Sequence, residues 1–198
     1  KPDAYGEGLS DDEKILYLLA EARALDPTEE QKYSAQSYYR QAMLARTRFG
    51  MDRLNQYGGI YHVAGRQPLQ EELETFNPWE LGKDEALVLA GGRIRQVTLP
   101  EDWNVLQLLA VVSGDHPRSG LAAEAAYASG LYYQSRQQYA DALGEYRALK
   151  ERFPGTEQDR HATHQIERIL EPQVLISQTG IQVNGQPAEV QVSYRNLS

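Results

Sequence analysis

The chain has 198 residues, 41% of them hydrophobic, with a formal net charge of −8 and no cysteine. The acidic balance disfavours a broad attraction to phosphate backbones or anionic lipid, which argues against a nucleic-acid partner. Without cysteine there is no disulfide, thiolate metal site or Cys nucleophile, and no apolar run approaches the roughly 20 residues of a membrane span.

The first element opens at "SDDE". There Ser10 can cap a helix and Glu13 can reach back to the Ser10 amide, closing a capping box. Ile15, Leu18, Leu19, Ala22 and Leu25 recur at helical spacing and predict an apolar stripe, which Pro27 ends. "TEEQ" at Thr28 to Gln31 reads as a second capping box. In the helix it starts, Ala35, Tyr38, Ala42, Ala45 and Phe49 form one stripe, closed by Gly50. Alanine on a buried stripe lets a neighbouring helix come close, so the pair is expected to pack antiparallel.

Residues 51 to 101 are rich in Gly, Pro and aromatics, the punctuation of turns and short strands. "ELGKDEALVLAG" reads as a short helix and "RIRQVTL" as a short strand. The segment is either an excursion that presents a binding surface or a long packed connector. After Pro100, "EDWNVLQLLAVVSG" brings Trp103, Leu106, Leu109 and Val112 onto one side of a helix, with Gly114 as its stop. "DHPRSG" is a turn, and three further helices are expected at about 118–135, 139–153 and 159–170.

Helix formers give way at Glu171-Pro172 to "VLISQTGIQVNGQPAEVQVSYRN". Asn184-Gly185 suits a two-residue hairpin turn, which pairs Ile181 with Ala188 and puts Val190, Val192 and Tyr194 on one apolar face. A lone hairpin is marginal in water, so this face needs further strands or cover from the helical part. The expected class is therefore mainly α: antiparallel helical hairpins over 1–171, with the irregular excursion at about 51–101, then a short β segment over 172–198. The chain opens on Lys1-Pro2 and stops while a strand alternation is still running. That reads as part of a longer protein with further domains, any targeting signal lying upstream.

In "GLYYQSRQQYADALGEYRALKERFP", Tyr133, Ala142, Tyr146 and Pro154 follow Gly130 at offsets of three, twelve, sixteen and twenty-four. This spacing resembles the tetratricopeptide repeat, a helix-turn-helix unit of about 34 residues. The resemblance implies that Gly130 and Ala142 lie where two helices touch, that Tyr133 and Tyr146 fill the space around them, and that Pro154 closes the unit. It covers about residues 123 to 170. Two positions depart from the pattern: small residues replace the early aromatic, and Leu149 stands where a late Ala belongs. Gln96 occupies the place of a preceding repeat's glycine.

The junction "HQIERILEPQVLISQTGIQVNGQPAEVQVSYRNLS" resembles the join in bacterial alpha-2-macroglobulin-like proteins between a helical region and the first macroglobulin-like β-sandwich. That resemblance implies a large exported protein of the periplasm or cell envelope whose later domains bind or trap proteases. The thioester of that family needs a Cys, which this segment lacks.

No constellation here supports catalysis. His161 and His164, with Glu167 a further three along, could share a helix face and hold a metal, but two imidazoles without a third well-spaced ligand or an HExxH pattern are more often surface helix residues. The acidic clusters at Asp11–Glu13 and Glu29-Glu30 suit first helical turns, and the glycine clusters lack the residues of a phosphate loop. No cofactor is expected. The sequence reads as a non-catalytic scaffold with protein partners; the alternative is a free-standing tetratricopeptide adaptor in envelope assembly. Tyrosine is frequent, and exposed Tyr buries large area at low entropy cost. In the pairs Tyr38-Tyr39 and Tyr132-Tyr133 one member is expected inside and the other outside. Tyr39, Tyr132 and Tyr139 are the contact candidates, and Arg93 and Arg95, with Arg66, a candidate anion patch. Asn196-Leu197-Ser198 matches a glycosylation sequon.

Overall fold

The structure, a computed structural model, describes residues 6, 8–25, 32–49, 78–90, 93–177 and 191–196. Among them the chain is mainly helical, with two small antiparallel sheets of two strands each. The helices are α1 (Asp11–Ala24), α2 (Lys32–Phe49), α3 (Val105–Asp115), α4 (Ala122–Ser135), α5 (Tyr139–Arg152) and α6 (Glu157–Leu170). The strands are β1 (Glu85–Ala90), β2 (Arg93–Thr98), β3 (Gln173–Ser177) and β4 (Gln191–Arg195). Each helix packs on the next in sequence, and α4 also touches α6.

α1 starts as its capping box dictates. The Glu13 amide donates to the Ser10 hydroxyl oxygen at 3.3 Å and the Ser10 amide donates to the Glu13 carboxylate at 2.8 Å. Apart from Leu19, the expected stripe does not face the core. Leu18 is 57% exposed and Leu25 77%, while Leu16 is the buried residue of the helix. The reason lies in the partner: α2 presents polar side chains to this part of α1. Arg23 donates to Ser37 at 2.9 Å and to Gln41 at 2.8 Å, and Ser37 donates to the Leu19 carbonyl at 2.7 Å. The face holding Leu16, Leu19 and Arg23 therefore turns inward. The Thr28–Gln31 box, Pro27, Gly50, Arg66 and the Ile181–Ala188 pairing lie outside the described residues.

Ala35, Ala42 and Ala45 of α2 are fully buried, and they let α3 approach closely. α3 begins later than its sequence suggests. Glu101–Trp103 forms a 3-10 turn, and Asn104, extended at φ −77° and ψ 102°, caps the helix by accepting from the Gln107 amide at 3.1 Å. Trp103 is left beside the helix, edge-on to Phe49 at 5.3 Å between ring centroids. Gly114 does not stop α3, which runs on to Asp115.

α4 is central, buried along Ala122, Ala123, Ala125, Ala126, Ala128, Ser129, Gly130, Tyr132 and Tyr133. α6 begins at Glu157 rather than near residue 159, because Thr156 accepts from the Asp159 amide at 3.2 Å and caps it.

β1 corrects the short helix expected at residues 80–91. Glu85–Ala90 is a strand, paired with β2 in the register Glu85↔Thr98 to Ala90↔Arg93. Leucine and alanine favour helix locally, but the pairing with β2 and the burial of Ala86 and Leu87 override that preference. The expected strand at 93–99 is present as β2.

β3 and β4 pair from Gln173↔Arg195 to Ser177↔Gln191. In that register Val192 pairs with Ile176 and Tyr194 with Val174. Val174 and Val192 are half or more exposed, so the helices do not cover the hairpin there.

Candidate interaction site

α4 and α5 are joined by Arg136, Gln137 and Gln138. Gln137 takes the left-handed backbone conformation, φ +61°, which reverses the chain within three residues. The reversal sends Arg136 inward, where it is 1% exposed. A buried guanidinium is costly unless hydrogen-bonded. Arg136 donates to the carbonyls of Gly82 at 3.2 Å and Glu85 at 2.9 Å and to the Tyr132 hydroxyl oxygen, and its Cζ lies 4.0 Å from the centroid of the Tyr132 ring. Gln138 donates to the carbonyls of Leu81 at 2.7 Å and Trp79 at 3.4 Å.

Residues 79–85 thus form a strap held across the α4–α5 turn, with Leu81 buried beneath it. The strap folds on itself at Glu85, whose carboxylate accepts from the Gly82 amide at 2.7 Å. That bond, then the Gln96 side chain and more weakly the Arg136 charge, holds the Glu85 carboxyl below its ordinary range.

On the other side of the turn a cleft of about 260 Å³ is lined by Gln134, Tyr139, Arg168, Ile169, Glu171 and Gln173. It gathers one charge of each sign, two carboxamides and a phenol. Asn196 fixes the rim: its side-chain amide donates to the carbonyls of Ile169 at 2.7 Å and Glu171 at 3.2 Å, tying the end of β4 to the end of α6. The sequon asparagine therefore has its amide engaged.

The contact candidates are not brought together, lying on separate elements. Tyr139 is 37% exposed and lines the cleft. Tyr39 is half-buried on α2, with its hydroxyl donating to Glu124 at 3.4 Å; burial and the Glu124 charge push its phenol up. Tyr132 is 1% exposed and Tyr133 5%, so that pair does not split between inside and outside. Tyr132 is inside because the Arg136 guanidinium lies over its ring and donates to its hydroxyl oxygen. Arg95 is exposed on β2 opposite Val88. Arg93 begins β2, but its side chain lies outside the described residues.

The repeat-spaced residues do share one region. Gly130, Tyr133, Ala142 and Tyr146 are all buried, and Pro154 is exposed in the turn between α5 and α6. Tyr146 donates to the Gln134 side chain at 2.8 Å. Burial raises its phenol pKa far above the ordinary value.

Among the described residues no group of three or more His, Cys, Asp or Glu could hold a metal ion, and no helix is long and apolar enough to cross a membrane. His161 lies 3.7 Å from Glu157 and packs beside Tyr127. Compared with models of protein families, curated proteins and solved structures, the chain matches none.

Arg136 and Gln138 were not legible as site residues. "SRQQ" has the composition of a solvated helix joint, and no local signal distinguishes an arginine that a distant strap will cover. The cleft was visible only through Tyr139.

Proposed function

We propose that the chain is a non-catalytic protein-interaction scaffold of tetratricopeptide-like helical hairpins, a segment of a larger alpha-2-macroglobulin-like bacterial envelope protein. The observation that carries the scaffold reading is the contact of Gly130 with Tyr146 between α4 and α5, at the offset of sixteen that the repeat pattern asks for. The exposed Tyr139 at the edge of the cleft supports a protein partner, because an exposed Tyr buries large area at low entropy cost. The envelope setting rests on the resemblance around "YRNLS".

The test places a photo-crosslinking residue at Tyr139, and as control at the buried Tyr146, in cells that make the protein. Adducts to another protein at Tyr139 and none at Tyr146 are expected. A Tyr139 variant that is folded and yields no adduct would sink the scaffold reading.

The second reading, a free-standing adaptor whose terminal hairpin pairs with a partner strand, draws on the exposure of Val174 and Val192. An antibody to this segment separates the two. The leading reading expects a native species much larger than 22.3 kDa, and the adaptor reading one near that mass.

A further inference from the structure

We infer that the α4–α5 turn is a binding site for the main chain of an extended polypeptide, filled here in cis by residues 79–85. The inference rests on the scaffold reading and names the class of partner.

The bonds that Arg136 and Gln138 make to the strap all end on main-chain carbonyls, those of Trp79, Leu81, Gly82 and Glu85. None depends on a strap side chain. Within 79–85 Leu81 alone is buried, while Trp79, Glu80, Lys83 and Asp84 are exposed. A latch built that way accepts other sequences that carry an apolar residue at the Leu81 place.

The strap also fits the turn incompletely. Among the described residues two buried atoms of the turn find no hydrogen-bond partner: Arg136 Nε, a donor, and Gln138 Oε1, an acceptor. Leaving such groups open is costly. The strap cannot close them because it curls. Its Leu81 amide donates to the Pro78 carbonyl at 3.4 Å, its Glu85 amide to the Gly82 carbonyl at 3.2 Å, and its Gly82 amide to the Glu85 carboxylate. The amides are thus turned back on the strap itself. An extended chain alternates N–H and C=O along each edge. On the edge facing the turn it would present carbonyls of alternate residues, one of them to Arg136 Nε, and an amide between them to Gln138 Oε1, in place of the successive Leu81 and Gly82 carbonyls that the curl supplies.

The test uses a fluorescein-labelled peptide with the sequence of residues 78–88, titrated by anisotropy against three full-length proteins. These are the unaltered chain, Leu81→Ala, which loosens the cis strap, and Leu81→Ala combined with Gln138→Ala. The tethered strap competes at an effective concentration of roughly millimolar. Leu81→Ala is therefore expected to bind at least about tenfold more tightly than the unaltered chain. Adding Gln138→Ala should weaken binding about fivefold or more, each hydrogen bond being worth about that factor. Equal titration of all three, or no binding to a Leu81→Ala chain with unchanged helical circular dichroism, overturns the proposal. If Leu81→Ala loses its helical signal, Leu81→Val takes its place with the same order expected. Failure here with Tyr139 adducts intact removes this site and leaves the scaffold reading standing.

Discussion

Gly130 and Tyr146 meet across the α4–α5 interface with no room for a methyl group: a β-carbon on Gly130 would lie 2.3 Å from Cε1 of the Tyr146 ring. The ring is fully buried and its hydroxyl is tied to Gln134, so it has nowhere to swing. Gly130→Ala gains about 1 kcal/mol of helix propensity but forces two helices apart, an overpacking cost of about 1–3 kcal/mol that a fixed ring pushes to the upper end. The expected net loss is about 1–2 kcal/mol in urea unfolding. Tyr146→Leu also destabilises, yet Gly130→Ala should cost much less in that background, since the clashing ring is gone. Equal costs in both backgrounds would rule out the contact as the cause.

Arg136 holds the strap through a fork of two nitrogens that a lysine cannot reproduce. Arg136→Lys should lose about 2 kcal/mol and Arg136→Ala about 3 kcal/mol, because carbonyls near Gly82 and Glu85 lose a charged donor. Hydrogen exchange localises the effect. The Leu99 amide, which donates to the Asp84 carbonyl at 2.6 Å, should exchange faster in both variants, while the Ala142 amide, bonded to Gln138, should change less.

Glu145 has its carboxyl pushed up by burial, against the opposing charges of Lys83 and Arg152, with Asp141 adding to the rise. A carboxyl raised on folding favours the native state while protonated. The penalty is absent below its unfolded pKa and grows as pH rises through the folded value. Glu145→Gln is therefore expected to raise the melting temperature at pH 7 and to have a smaller effect near pH 4. A gain that is the same at both pH values would contradict the assignment.

Asp159 runs the other way. Hydrogen bonds from Lys150 and the Gly155 amide, at 2.9 and 2.8 Å, hold its carboxyl below the ordinary value. Its contribution is present above the unfolded pKa and fades as pH falls through the folded one. Asp159→Asn should lower the melting temperature at pH 7 and lose that effect in strong acid.

Asn196 sits in the left-handed conformation, φ +55°, and donates to the last carbonyls around α6. Asn196→Asp replaces the donor with a carboxylate that faces those carbonyls. A loss of about 1–2 kcal/mol is expected, with faster exchange in β3 and unchanged exchange in α3. Uniform change across both elements would mean that Asn196 does not tie β4 to α6.

What nearest neighbours along the chain decide is legible in the residues alone. Ser10 and Glu13 set the start of α1, the alanine stripe set the buried face of α2, and glycines, prolines and spacing bounded α4, α5 and α6 to within a few residues. The sequence also singled out Gly130, because a missing side chain at a helical contact leaves a mark in spacing. Which face of α1 turns inward is set across the helix pair, where Ser37 and Gln41 of α2 meet Arg23 and the Leu19 carbonyl. Only the tertiary structure made a strand of Glu85–Ala90, whose local preference is helical until Arg93–Thr98 pairs with it. The fold also buries Arg136, whose carbonyl partners lie more than fifty residues upstream. Main-chain carbonyls are the same at every residue, so a site that reads them leaves no trace in the sequence it binds.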